Sequence, residues 1–228
     1  MKKFLLASLA LTLTMALTGC DSGSEIPKPN PGKQSAQAER VVDIAQDKYK
    51  LLKAPLPSAE LGGTEPYVVE FFWFGCPHCY SLEPLVKAFR QNNQDIQFIT
   101  IPAAPNQRWE IEARIYYAME ALGVRDSHYD RVFQLYADMR NEKRYPTLDE
   151  VAALFGDKGV TKEALEQAMG SAAVSTLIER SKRLFDQAEL TGVPALIVNG
   201  KYQLDFAKLD SKAFAEDFMQ TIRALGEK

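Results

Sequence analysis

Cys76-Pro77-His78-Cys79 is the stretch of this sequence best equipped for chemistry. Two cysteines separated by two residues can close a small disulfide ring in which one sulfur is attacked while the other resolves. Pro77 suits the first turn of a helix, where no N–H is required. A helix N-terminus offers unpaired N–H groups and about half a positive charge, which favour a thiolate over a thiol. His78 can donate a hydrogen bond or carry a positive charge beside the sulfur, lowering its pKa further. A thiolate stabilised in the reduced form makes the disulfide a stronger oxidant. Other readings of the motif stay open on these residues alone. Zinc would need four ligands, and Cys76, His78, Cys79 and the distant His128 offer a poorly spaced set. Covalent haem attachment wants a histidine directly after the second cysteine, where this chain has Tyr80. A purely structural disulfide suits an exported protein.

The surrounding pattern says what must position the pair. Tyr67–Phe74 is an apolar run rich in β-branched and aromatic residues, which reads as a buried strand leading into Gly75 and Cys76. A helix follows, with Leu82, Leu85, Val86 and Phe89 on one face and Pro84 expected to kink it. Tyr49–Leu52 and Ile96–Ile101 are further strands. Cys76 therefore sits where a buried strand ends and a helix begins. Much later, Ala195–Val198 and Lys201–Leu204 flank Asn199-Gly200, a type I′ hairpin signal, and Pro194 directly precedes the first of these strands.

Glu70-Phe71-Phe72 before Cys76-Pro77-His78-Cys79, with Gly192-Val193-Pro194-Ala195 and Val198-Asn199-Gly200-Lys201-Tyr202-Gln203-Leu204, resembles the DsbA family of thiol oxidases. The resemblance runs from about Asp47 to the C-terminus. It implies an α/β thioredoxin fold interrupted by an inserted all-helical domain. The first thioredoxin part would span 47–106, the helical insert 107–189 and the second part 190–228. It also implies that Cys76 is the exposed attacking cysteine of a low-pKa, strongly oxidising pair, and Cys79 its buried partner. Pro194 would be cis and packed against the disulfide, with Val193 offering backbone hydrogen bonds to an extended substrate. Glu70 would be the family's buried acid, a proton relay for Cys79. The family places a lysine near that acid, in the strand around Phe98–Pro102, and this sequence has none there.

The intervening region reads as helices. Ile111, Ile115, Ala118, Met119 and Leu122 share a face, Tyr129–Met139 is a second segment, and Thr147-x-x-Glu150 is a capping box. Thr161 opens a long helical stretch to Leu190. The tryptophans and tyrosines read as core, His128 as a solvated residue at a helix start, and Arg180–Arg183 as an exposed face.

The N-terminus reads as an address. Lys2 and Lys3 precede an apolar stretch, Phe4–Leu17, shorter than the ~18–20 residues that span a bilayer. It ends in Leu17-Thr18-Gly19-Cys20, which resembles a bacterial lipobox. Residues 1–19 would then be a lipoprotein signal peptide, and 20–46 the acylated Cys20 with a flexible tether. Asp21 resembles the residue that retains such lipoproteins in the inner membrane. Residues 21–39, with three prolines, two glycines and no aromatic residue, cannot bury enough surface to order themselves.

Composition narrows the partners. The chain has 228 residues, 46% hydrophobic and 25% charged, an ordinary globular mixture. Its formal charge of −3 becomes −5 once Lys2 and Lys3 leave with the signal peptide, so no basic excess exists for nucleic acid. The expectation is a monomeric, envelope-facing thiol:disulfide interchange enzyme that donates a disulfide to reduced exported proteins. Its redox group would be the cysteine pair, with no metal, nucleotide or flavin implied. By resemblance, a quinone-linked membrane oxidase of the DsbB type would reoxidise it. The alternatives are a reductase or isomerase of the same fold, or a redox-inert lipoprotein that binds peptides or copper.

Overall fold

The computed structural model describes residues 47–228. The signal peptide, Cys20 and the tether expected over 1–46 lie outside the described residues. Strand β1 (Tyr49–Leu51) and the short helix α1 (Ser58–Leu61) lead to β2 (Tyr67–Phe72), buried at all six positions. A strand this apolar needs cover on both faces, and β2, an inner strand between β4 and β3, receives it from helices on either side of the sheet. Helix α2 (Pro77–Asn92) and strand β3 (Gln97–Pro102) follow, and β3 pairs parallel to β2 from Tyr67↔Gln97 to Phe72↔Pro102. Strand β4 (Ala195–Val198) runs antiparallel to β2 on its other side, and β5 (Tyr202–Leu204) and then β1 complete the order β1-β5-β4-β2-β3.

The hairpin between β4 and β5 turns as its sequence requires. Asn199 (φ 50°) and Gly200 (φ 65°) both take the left-handed conformation of a type I′ turn. A Cβ at Gly200 would also lie 2.6 Å from the Tyr67 hydroxyl and 2.9 Å from the Leu56 carbonyl, so this position admits only glycine.

Between β3 and β4 come α3 (Gln107–Ala121), α4 (Arg125–Asn141), α5 (Leu148–Ala153), α6 (Lys162–Met169) and α7 (Ala172–Gln187), and α8 (Phe214–Gly226) closes the chain. One sheet face packs against α2 and α8 through Val68, Leu196, Phe89, Phe218 and Ile222. The other packs Val69, Phe71 and Ile197 against Leu184 and Phe185 of α7. The core of the inserted helices, with Met119, Phe133, Phe155 and Ile178, is continuous with Phe72, Phe74, Cys76 and Cys79. The helical layer therefore packs directly on the cysteine pair.

Two local expectations change. The stretch from Thr161 is two helices, because Gly170 is a weak helix former and the Ser171 hydroxyl caps a new start by accepting from Val174 N, 3.2 Å away. Helix α2 contains Pro84 and runs on to Asn92 as one element. His128 is buried, not solvated. Its ring lies edge-on to Phe155, and Nε2 sits 2.8 Å from an Asp157 carboxylate oxygen. The Thr147–Glu150 capping box forms in full. No helix among the described residues is long and apolar enough to cross a membrane.

Candidate active site

The loop Trp73-Phe74-Gly75 carries the chain from the end of β2 to the start of α2. Trp73 folds back over Gly75 so closely that a Cβ there would lie 2.4 Å from the indole, which requires glycine before the first cysteine. Cys76 is the N-cap of α2 and Pro77 its first residue. The Cys79 backbone N–H donates to Cys76 Sγ across 3.2 Å, so sulfur takes the place a serine or aspartate oxygen usually fills at a helix start. Both cysteines are free thiols, the reduced form.

This geometry splits the pair electronically. The Cys76 thiol is lowered to about 6 by the Cys79 thiol first, then by the backbone N–H groups of Cys79 and His78, with the charge of His78 last, all against the opposing effect of burial. The helix start thus does more than the imidazole, which is exposed to solvent. Burial and the neighbouring Cys76 sulfur push Cys79 far above the ordinary thiol range. One sulfur is an anion at neutral pH and the other holds its proton. Cys76 is less exposed than the resemblance implied, 5% against 0% for Cys79. The cover comes partly from the loop before β4, where the Val193 carbonyl lies 3.5 Å from Cys76 Sγ and accepts from it when that sulfur is protonated. The Val193–Pro194 peptide bond is cis. Pro194 and His78, with Ser81, Leu82, Phe206 and Phe214, line an apolar cavity of about 350 Å³ beside the pair.

Glu70 lies on β2 and is 1% exposed, and its Oε1 has no hydrogen-bond partner. Burial and then the nearby Glu83 carboxyl hold it well above the usual carboxylate range. Its charge is one of the influences that raise the Cys79 thiol, after burial and the Cys76 sulfur. The cation missing from β3 is supplied from elsewhere. Arg90 of α2 lies over the Phe98 ring, 5.4 Å from its centroid, and favours the ionised forms of both Glu70 and Glu83. Glu83, also raised by burial, accepts from the Tyr129 hydroxyl at 2.9 Å. Replacing Glu70 by glutamine removes a proton carrier and is expected to slow thiol exchange at neutral pH. Stopped-flow exchange with a small dithiol measures it, and an unchanged rate removes Glu70 from the mechanism.

A second buried acid was not legible in the sequence. Glu112 of α3, 1% exposed, accepts from the Gly75 backbone N–H at 3.1 Å and from Arg108 at 2.6 Å. Burial raises it to about 7, against the lowering pull of Arg108. It ties the helical layer to the residue before Cys76. Glu112→Ala leaves the Gly75 N–H and the Arg108 charge without this acceptor, which is expected to cost about 1–3 kcal/mol. Urea unfolding reads this directly, and an unchanged midpoint contradicts the role.

The structure thus brings together Cys76, Pro77, His78, Cys79, Val193, Pro194 and Glu70, leaving only Cys20 outside the described residues. Glu83 and Arg90 follow Cys79 at positions four and eleven along one helix, a periodic signal that helical spacing could have exposed. Glu112 gives no such signal, since only the tertiary fold brings α3 beside Gly75. Among the described residues no group of three or more His, Cys, Asp or Glu side chains is arranged to hold a metal.

A dithiol at a helix N-terminus, faced by a cis proline in a sheet of this topology, defines the class of thioredoxin-fold thiol:disulfide oxidoreductases. The comparisons narrow it. Residues 104–220 match the family model for the DSBA-like thioredoxin domain. Thiol:disulfide interchange protein DsbA of Pseudomonas aeruginosa is 34% identical over 162 residues, covering 71% of this chain and 75% of that one. DsbA of Azotobacter vinelandii is 35% identical over 158 residues, covering 69% and 72%. The crystal structure of Pseudomonas aeruginosa DsbA superposes with a TM-score of 0.63 at 31% identity, over 79% of this chain and 95% of that one. The structure of Xylella fastidiosa DsbA shares the fold with a TM-score of 0.67 at 23% identity, over 79% and 94%. The chain belongs to the DsbA family of thiol:disulfide interchange proteins, with a helical insertion in the thioredoxin fold.

Proposed function

We propose that this enzyme works as an oxidase, donating the Cys76–Cys79 disulfide to reduced exported proteins. The observation that carries the reading is Cys76 capping α2, where the Cys79 thiol and then the N–H groups of the helix start favour its thiolate. A client thiolate attacks Cys76 Sγ and the Cys76–Cys79 bond breaks, its electron pair passing to Cys79. Cys79 sulfur then takes a proton, for which the buried Glu70 is the donor at hand. A second client thiolate attacks the client sulfur of the mixed disulfide, and Cys76 departs as a thiolate with that electron pair. The client loses two electrons and gains a disulfide, and this protein is left reduced. The cis Pro194 and the Val193 backbone border the sulfur that the client must reach, and the apolar cavity beside His78 suits an apolar client segment. No further cofactor enters these steps.

Acylation at Cys20 would hold the enzyme on the periplasmic side of a membrane, the inner one by the Asp21 signal, with the tether letting a monomeric domain reach many clients. Two or three acyl chains anchor far more firmly than one. A quinone-linked membrane oxidase of the DsbB type would restore the disulfide, and sharing a membrane raises its effective concentration. Oxidised protein mixed with a reduced two-cysteine peptide tests the activity, with stoichiometric peptide disulfide expected and an unreacted peptide overturning it. Cys20→Ser tests the anchor, with the protein expected to move from the membrane to the soluble envelope fraction.

A further inference from the structure

A cavity of about 190 Å³ lies on the helical side of the active site, lined by Gly75, Tyr136, Arg140, Lys143, Arg144 and Tyr145. It is distinct from the apolar cavity beside Pro194 and shares no residue with it. Gly75, which lines the cavity, directly precedes Cys76 in the chain, so the cavity borders the loop that carries the reactive cysteine.

Its charge is one-sided. Arg144 is neutralised by Glu142 and Glu150, at 2.8 and 2.7 Å. Neither Arg140 nor Lys143 has a carboxylate within salt-bridge distance among the described residues, although the chain as a whole is acidic. One guanidinium nitrogen of Arg140, Nη1, is shut off from water with no acceptor at all. A buried donor without a partner is costly, a cost that rotation of the guanidinium toward a carboxylate in the cavity would relieve. Lys143 holds the left-handed position that ends α4 (φ 58°), a place glycine fills at less cost, and its backbone bonds Arg140 across the turn. The buried acid Glu112 is already engaged by Gly75 and Arg108, and the Arg108 guanidinium lies on the Tyr145 ring, 3.6 Å from its centroid.

We propose that this pocket is a client subsite that takes the carboxylate of an aspartate or glutamate close in sequence to the client's reactive cysteine. The inference rests on the thiol–disulfide exchange described above. Arg140 and Lys143 bind the carboxylate, and the Tyr136 and Tyr145 rings cover its methylene stem. An extended client advances about 3.3 Å per residue, so an acidic side chain one or two residues from the cysteine reaches the pocket while its sulfur meets Cys76. The pocket thereby favours clients by charge without entering the chemistry.

The test uses two C-terminally amidated two-cysteine peptides that differ only in glutamate or glutamine two residues from the reactive cysteine. Serine-for-cysteine versions of both serve for equilibrium binding. The full-length protein is expected to oxidise and bind the glutamate peptide about threefold to tenfold better, an advantage that shrinks in 0.5 M salt. In Arg140→Gln/Lys143→Gln the ratio is expected to fall to about one, and in Lys143→Glu a lysine peptide should gain over the glutamate one. Because each readout is a ratio on one protein, a general loss of folding does not imitate it. No preference in the wild type, or a preference that survives the double substitution, overturns the proposal. A free C-terminal carboxylate that replaces the glutamate effect would likewise overturn the side-chain assignment. If neither peptide is oxidised while the serine peptides keep the charge preference, the oxidase reading fails and the pocket stands.

Discussion

Cys76→Ser is expected to lower the rate of mixed-disulfide formation with glutathione disulfide about a thousandfold at pH 7, while Cys79→Ser accumulates one glutathione per chain. The asymmetry follows from thiolate supply. With Cys76 lowered to about 6, roughly nine-tenths of it is thiolate at pH 7. Cys79, fully buried and pushed far upward, presents well under one part in a thousand. Access reinforces the difference, because Cys79 lies beneath the first turn of α2 and a disulfide partner must approach in line with the attacking sulfur. In the Cys79→Ser protein the mixed disulfide persists because no neighbouring thiol is left to resolve it. Intact mass and peptide mapping measure both outcomes. Equal labelling of the two single variants would remove Cys76 as the attacking residue and with it the sequence of steps derived above.

The second large effect concerns pH. Alkylation of reduced protein at Cys76 is expected to follow a titration with a midpoint near pH 6, set by the Cys79 thiol and the N–H groups at the start of α2. Two factors oppose each other. At pH 5 a thiol of pKa about 6 carries a few hundred times more thiolate than an ordinary one near 8.5, but the weaker base is a poorer nucleophile by about tenfold. Thiolate supply wins, and labelling at pH 5 should exceed that of an ordinary thiol by about twentyfold. Linkage gives the same group a stability signature. Its folded pKa lies below its unfolded one, so it stabilises the reduced fold fully above about pH 9 and loses that contribution as pH falls through about 6. The reduced protein should therefore lose its advantage over the oxidised one on acidification, as paired urea titrations at pH 5 and pH 8 would show. Labelling that begins only above pH 8 would mean an ordinary thiol.

What could be read in advance had local causes. The strand into Cys76 follows from Tyr67–Phe72, apolar at every position but Glu70 and buried on both faces. The start of α2 follows from Pro77 after a residue able to cap, and the β4–β5 turn from Asn199-Gly200. The attacking pair stood in its own motif, while the roles of Glu70 beside it and of the Val193-Pro194 loop more than a hundred residues later came only through the family resemblance. What local pattern could not supply was cross-chain partnership. Arg90 answers Glu70 from a helix rather than from the expected strand, because α2 packs across the sheet and delivers its last turns over Phe98. Glu112 and Gly75 meet only when α3 docks beside the loop after β2. His128 looked like a surface residue because its neighbours are polar, yet Phe155 and Asp157, on a later turn, bury and satisfy it. The break at Gly170-Ser171 was legible in principle, since a glycine followed by a capping serine ends one helix and starts another.

The central claim is that the fold stabilises the reduced pair through the Cys76 thiolate and so makes this protein an electron acceptor for its clients. The most direct measurement is the equilibrium of the Cys76/Cys79 pair against glutathione buffers, repeated from pH 5 to pH 8. Each ~30 mV is a tenfold change in the exchange constant, so coarse data decide. The account predicts a potential above about −180 mV at pH 7. It also predicts a pH slope that eases from about 59 mV per unit below pH 6 to about 30 mV above it, as one of the two protons ceases to be taken up. A potential near −270 mV, or a steep slope continuing to pH 8, would contradict it and assign the same fold to the reduction of clients.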